Sequence, residues 1–305
     1  MTQTLRAGFI GVGNMGGAMA ARLCELGWTI GVRDIEPARE VECVRDGAEV
    51  HPTPAALAAA YPLVVVAVVD AAQCDEVLFG EAGLASAPAA AGPCVVLCPT
   101  LGPSSTESIA ARLGERGIGC IDAPMSGGPA RARDGSMSLM VACTDALFSR
   151  HRALLEALSA KVFRVGERPG DGARTKLVNN LLAAINLAGA AEAIGLAERL
   201  GLDAAGTLAV IEQSSGQSWI GSDRMRRAIA GDWAPRAHTT LLLKDSRLAL
   251  EMAAEAGFDA PLGSAAAARF RAACEAGFGD LDDASLLRLF RQSRSPSPAR
   301  GRGSG

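Results

Sequence analysis

Lys176 and Asn180 stand four residues apart in Gly170-Asp171-Gly172-Ala173-Arg174-Thr175-Lys176-Leu177-Val178-Asn179-Asn180, the opening of a long apolar segment. At helical spacing their side chains project from one face. Gly170 and Gly172 let the chain turn into that helix. The next 20 residues, Leu181 to Leu200, are almost all Ala, Leu, Ile or Gly, broken by Asn186, Glu192, Glu198 and Arg199. A helix of this composition is expected to be buried. Burial disfavours a lysine's charged form and makes the neutral amine available for moving protons. The competing structural reading is a helix-start lysine whose ammonium reaches solvent. The rest of the chain favours chemistry.

A second constellation lies at the start. An apolar strand, Ala7 to Val12, runs into Gly11-Val12-Gly13-Asn14-Met15-Gly16 and then the helical pattern Ala18 to Leu26. Strand, G-x-G-x-x-G and helix together suit a dinucleotide. Gly11 makes the turn, Gly13 admits the pyrophosphate to the backbone, and Gly16 lets helix pack on strand. The pyrophosphate is expected on the N–H groups of the helix N-terminus. Gly27 stops the helix, and a second strand, Thr29 to Arg33, ends at Asp34, 18 residues after Gly16. An acid there accepts from the adenosine ribose hydroxyls and repels a 2′-phosphate, which favours NAD over NADP. Arg33 is the counter-signal, since an arginine can instead receive that phosphate.

The elements that must position these groups alternate between strand and helix. Apolar strands are expected at Leu63 to Val69, Val95 to Leu97, Ile118 to Ile121, Met137 to Ala142 and Val162 to Val165. Uninterrupted runs such as Leu63 to Val69 fit a parallel sheet covered on both faces. Ligands bind outside strand C-terminal ends in such sheets, so Val69-Asp70, Thr100 and Ser126-Gly127-Gly128 fall on the binding edge. From about Gly172 onward no strand pattern appears, and helices alternate with Gly-rich breaks. The reading divides the chain into an α/β domain over 1–168, a helical domain over 169–293 with a long helix at about 173–200, and a disordered tail over 294–305.

Composition sets the outer limits. The 305 residues are 49 % hydrophobic and 21 % charged, with a net charge of −3, which allows a large core and disfavours a nucleic-acid-coating role. Eight cysteines without a C-x-x-C pair read as reduced thiols in a cytoplasmic protein. Cys94 and Cys98 share a strand face and are assigned to core packing; no metal site is expected. Neither a secretory signal nor a membrane span is expected.

Four blocks together resemble the β-hydroxyacid dehydrogenase family, which includes 3-hydroxyisobutyrate dehydrogenases, tartronate semialdehyde reductases and threonate dehydrogenases. They are Gly8-Phe9-Ile10-Gly11-Val12-Gly13-Asn14-Met15-Gly16, Asp122-Ala123-Pro124-Met125-Ser126-Gly127-Gly128, Gly172 to Asn180, and Lys244-Asp245 with Gly257 and Pro261-Leu262. The resemblance spans about residues 5 to 290. It implies a Rossmann-type doubly wound parallel sheet, then an all-α domain joined by a long helix, with the active site in the cleft between. It also implies a homodimer or homotetramer and a small carboxylate-bearing substrate, with no membrane or nucleic-acid partner.

By the same resemblance, Lys176 is the catalytic lysine and Asn180 orients the substrate. Ser126, Gly127 and Gly128 bind its carboxylate, with Trp219 and Asp245 on the substrate side. Gly11, Gly13, Asn14, Met15, Gly16, Asp34, Val69, Thr100 and Lys244 serve the cofactor. The chain departs from the family pattern at Cys98-Pro99 and at Val69, where a proline is common, and in Pro129-Ala130-Arg131-Ala132-Arg133. The two arginines could add anionic contacts to the substrate. The segment Ser214 to Trp219 is similar to a substrate-side loop that the threonate-oxidising branch shares.

The expected reaction moves a hydride between nicotinamide and a small 3-hydroxy acid, with Lys176 as general acid/base. The alternatives are an NADP-dependent semialdehyde or imine reductase, against which Lys176 counts, and a non-catalytic cofactor-binding scaffold. A hydrolase built on Ser126 lacks a nucleophile elbow and a positioned histidine.

Overall fold

The computed structural model describes residues 5–87 and 93–292; the tail expected at 294–305 lies outside the described residues. The chain forms two compact units, residues 1–180 with 251–258, and residues 181–250 with 259–305.

The strands of the first unit are β1 (Arg6–Ile10), β2 (Thr29–Arg33), β3 (Glu49–Val50), β4 (Leu63–Val66), β5 (Cys94–Leu97), β6 (Gly119–Asp122), β7 (Met125–Ser126), β8 (Ser138–Ala142) and β9 (Lys161–Gly166). The helices between them are α1 (Asn14–Glu25), α2 (Pro37–Arg45), α3 (Pro54–Ala60), α4 (Ala71–Phe79), α5 (Pro103–Gly114), α6 (Gly128–Asp134) and α7 (Asp145–Leu158). One sheet runs in the order β3-β2-β1-β4-β5-β6-β8-β7, with β9 paired to β8. β1 to β6 are parallel, whereas β8 runs antiparallel to β6 and β7. The order reverses between β1 and β4, the switch point at which such sheets open a ligand crevice.

Every residue of β4 and β5 is buried, and neighbours alternate between two cores. Phe9, Val65, Val96 and Ile121 face one core, while Ile10, Val64, Val66, Val95 and Leu97 face the other. Cys94 and Cys98 both join the first core, and none of the eight cysteines forms a disulfide. Two element boundaries differ from the expected ones by three residues or more. β4 ends at Val66, because Ala67 N–H makes the last bond back to Ile10 O at 2.9 Å before the chain leaves the sheet. α1 starts at Asn14 rather than Ala18, taking Gly16 and Gly17 inside the helix.

α8 (Asp171–Arg199) begins in the first unit and continues into the second. The second unit continues with α9 (Ala204–Glu212), α10 (Trp219–Ile229), α11 (Thr239–Glu255), α12 (Pro261–Ala273) and α13 (Leu286–Gln292), α11 ending in the segment assigned to the first unit. Its core gathers Ala184, Leu187, Ala191 and Ile194 of α8 with Leu208, Met225, Phe270 and Leu287. Asp282 ties the irregular segments to this core. It accepts from Arg227 Nη2 at 2.8 Å and from the N–H groups of Arg236, Ala237 and Ala284.

The expectation of a wholly buried α8 does not hold. Its apolar residues run all the way round, but only one stripe packs inside the chain, and Val178, Leu182 and Leu196 are exposed. By length and composition it is the one helix among the described residues that could cross a membrane. One stripe of it packs into the second unit's core, and Asp171, Arg174, Lys176 and Glu192 interrupt its apolar run.

Candidate active site

The glycine turn is shaped as its spacing predicts. Gly11 has φ +84°, and a Cβ on it would meet the Ala67 carbonyl oxygen at 2.8 Å. A Cβ on Gly16 would overlap the Gly11 carbonyl oxygen, so the turn and α1 meet backbone to backbone. Over Gly13, by contrast, there is open space. Gly13 is also the N-cap of α1 and offers no side chain to its first turn, where the N–H groups of Asn14, Met15 and Gly16 stand. A closely packed turn with space above its middle glycine fits a pyrophosphate.

Asp34 closes one side of this turn. Its Oδ2 accepts from Val12 N–H at 2.7 Å and its Oδ1 from Glu36 N–H at 2.9 Å. Each carboxylate oxygen has a second lone pair, which leaves capacity for ribose hydroxyls. Arg33 is engaged elsewhere: its Nη1 donates to Glu40 Oε1 at 2.9 Å and to the Asp34 carbonyl oxygen. Glu40 Oε1 also accepts from Asp34 N–H at 2.8 Å. In the sequence, Glu40 is marked by nothing beyond its position in the first turn of α2.

The neighbouring strand ends carry the next residues. Val69, past the C-terminal end of β4, is 48 % exposed, and Asp70 beside it caps α4 through Gln73 N–H. Thr100 follows β5 and is half-buried. Ser126 ends β7 opposite Ser138 of β8. Gly127 and Gly128 follow with φ +138° and +77°, a turn at the start of α6 that glycine adopts without strain. The stem of Arg131 packs over Gly127. Arg133 does not serve the anionic role expected of it, because its guanidinium bridges Glu25 at 2.6 Å and Asp46 at 3.2 Å.

Lys176 and Asn180 are both buried, each 7 % exposed, on one face of α8 with Gly172, Ala173 and Leu177. Asn180 Oδ1 accepts from Asn179 Nδ2 at 3.0 Å. The start of this helix is pinned by Asp122, whose Oδ2 accepts from Gly170 N–H at 2.7 Å and Ala173 N–H at 3.1 Å. Burial pushes the Asp122 carboxyl up to about 6, against the lowering effect of N–H groups from Gly170, Ala173 and Gly172. Gly170 is the left-handed turn, φ +101°, while Gly172 is small for another reason: a Cβ on it would press on Asp122 and the Met140 carbonyl. One carboxylate thus joins the strand leading into Ser126-Gly127-Gly128 to the helix bearing Lys176.

The remaining expected residues lie in the second unit. Trp219 opens α10 behind the Ser218 cap and is 46 % exposed. Lys244 and Asp245 sit side by side on α11, with Nζ and Oδ1 at 3.0 Å.

A parallel sheet in this order, with a glycine turn at its switch point and an acid ending the next strand, makes the first unit a Rossmann-type NAD(P)-binding domain of an oxidoreductase. Comparison with known proteins gives the same class. Residues 6–166 match the family model for the NAD binding domain of 6-phosphogluconate dehydrogenase. Residues 170–290 match that for the NAD-binding region of NADP-dependent 3-hydroxyisobutyrate dehydrogenase. The chain is 34 % identical to the L-threonate dehydrogenase of Cupriavidus necator over 292 residues, covering 96 % of this chain and 98 % of that one. It is 34 % identical to the 3-hydroxyisobutyrate dehydrogenase of Pseudomonas aeruginosa over 293 residues, 93 % and 97 % of the two chains. The crystal structure of a 3-hydroxyisobutyrate dehydrogenase from Salmonella typhimurium superposes with a TM-score of 0.87 at 32 % identity, covering 93 % of this chain and 99 % of that one. The chain belongs to the β-hydroxyacid dehydrogenase family, and it is an enzyme of that family.

Proposed function

We propose that this enzyme interconverts a small 3-hydroxy acid, of the threonate or 3-hydroxyisobutyrate type, and its carbonyl form, with Lys176 as the group that moves the hydroxyl proton. The observation that carries this reading is a buried amine on the Asn180 face of a helix whose start is held by Asp122. In the oxidative direction the Lys176 amine takes the proton of the substrate hydroxyl, and in the reductive direction it returns it. Asn180, one turn on, holds the hydroxyl or the amine in line. Ser126 Oγ and the backbone N–H groups of the Gly127-Gly128 turn hold the carboxylate and fix which face of the carbinol carbon is presented.

The glycine turn fits a dinucleotide, with Gly11, Gly13, Asn14, Met15 and Gly16 at the pyrophosphate, Asp34 at the adenosine ribose, and Val69 and Thr100 toward the nicotinamide. When bound, the nicotinamide supplies the hydride acceptor or donor. Asp34 favours NAD over NADP, because a carboxylate repels a 2′-phosphate. Trp219, Lys244 and Asp245 take their substrate and cofactor roles from the family resemblance alone. The exposed apolar residues of α8, Leu182 and Leu196 among them, support burial against a second copy of the chain. Sedimentation velocity reads that assembly, and a monomer at micromolar concentration would exclude it.

The test is NAD⁺ reduction over 3-hydroxyisobutyrate, glycerate, threonate, serine and 3-hydroxypropionate. Turnover on at least one of them is expected; NADH binding without turnover on any would overturn the small 3-hydroxy acid reading.

A further inference from the structure

We propose that Glu40 is a specificity-determining residue of this enzyme, excluding 2′-phosphorylated cofactor by holding Arg33 away from the ribose end of the site. The inference rests on the reading that the glycine turn and Asp34 take the adenosine half of the dinucleotide.

A chain with Asp followed by no cation beside it would need no such device. This chain carries Arg33 immediately before the ribose acid, and a guanidinium is the group best matched to a phosphate. Glu40 engages it. Glu40 is buried, 8 % exposed, and its Oε1 accepts at once from Arg33 Nη1 at 2.9 Å and from Asp34 N–H at 2.8 Å. Arg33 Nη1 donates a further bond to the Asp34 carbonyl oxygen, so the guanidinium is folded back along its own strand end. The arginine side chain is only 27 % exposed, which limits solvent screening of the pair. Arg39 of α2 lies between Glu36 at 3.5 Å and Glu42 at 3.8 Å. The result is a strand end whose acid, Asp34, borders the glycine turn while the adjoining cation is committed to an acid of α2.

Glu40 has a second consequence in the same geometry. By accepting from Asp34 N–H it fixes the backbone from which Asp34 reaches Val12 N–H, 2.7 Å from Oδ2. Glu40→Gln keeps an acceptor oxygen for Asp34 N–H and removes the charge that holds Arg33. Asp34 stays in place and still repels a phosphate, so the expected effect is a shift in preference and not a full reversal.

The experiment measures Kd for NADH and NADPH, without substrate, by the change in nicotinamide fluorescence on binding. It uses the full chain, Glu40→Gln, Arg33→Ala and the double variant. Glu40→Gln is expected to lower the ratio of the NADPH to the NADH Kd by about tenfold, the scale of one charge-assisted guanidinium–phosphate contact. Adding Arg33→Ala is expected to abolish that gain, and Arg33→Ala alone to leave the ratio unchanged. An unchanged ratio in Glu40→Gln, or a gain that survives loss of Arg33, overturns the proposal. So does a higher NADPH Kd in Arg33→Ala alone, a result that does not depend on how Glu40→Gln folds. Failure of the unaltered chain to bind either cofactor would instead refute the underlying placement of the dinucleotide.

Discussion

Asp122→Asn removes a buried charge while keeping an oxygen where two backbone donors converge, since Gly170 N–H and Ala173 N–H both reach Oδ2, at 2.7 and 3.1 Å. Burial raises the Asp122 carboxyl from 3.8 to about 6. Between about pH 4 and 6 the folded protein therefore keeps a proton that the unfolded chain has released. The folded state binds more protons across that window, so this group's contribution to stability is full below pH 4 and is lost as pH rises through 6. Two pH units at about 1.4 kcal/mol each give a loss of about 3 kcal/mol. Asparagine has no such titration. Urea unfolding of both proteins at pH 4, 5, 6 and 7 is expected to show the wild type losing about 3 kcal/mol relative to Asp122→Asn from the lowest pH to the highest. Asp122→Ala serves as the control. It strands two buried N–H groups at the start of α8, at about 1–3 kcal/mol each, at every pH. A stability difference between wild type and Asp122→Asn that is flat with pH would refute the assignment of the raised carboxyl to this cap.

Gly16→Ala would force a methyl into the Gly11 carbonyl oxygen, so the turn must open. A stability loss of about 1–3 kcal/mol is expected, with NADH affinity reduced about tenfold or more, read by thermal melting and cofactor titration. NADH binding at the wild-type Kd would contradict the close-packing role of this glycine. In the second unit, Asp282→Ala leaves the Arg227 guanidinium, 8 % exposed, without its 2.8 Å partner. The expected cost is about 3–5 kcal/mol by denaturant unfolding. A cost under about 1 kcal/mol would show that the ion pair does not hold these segments together.

The parallel strands and the glycine turn were legible because their signals are local. β2 matches its expected span to the residue, and the runs ending β4 and β5 are apolar throughout. β3 and β7 escaped notice because two-residue strands carry no periodicity. The low helix propensity of Gly16 and Gly17, whose presence serves packing on Gly11 and Val12, hides the start of α1. On α8 the sequence could place Lys176 and Asn180 on one face, but an all-round apolar composition does not say which stripe the chain itself covers. The contacts that set site geometry were illegible for a different reason. Asp122 reaches residues about 50 positions away, and Arg133 reaches Glu25 across 108. Such pairings are fixed by the sheet order and not by any neighbouring residue.

The measurement that tests the account most directly is the steady-state turnover of Lys176→Ala on whichever hydroxy acid the screen identifies, beside its Kd for NADH. Loss of the buried amine is expected to lower kcat by about 10²-fold or more while NADH binding is unchanged. Turnover close to the wild-type value would contradict a proton-moving role for Lys176, whatever the substrate proves to be.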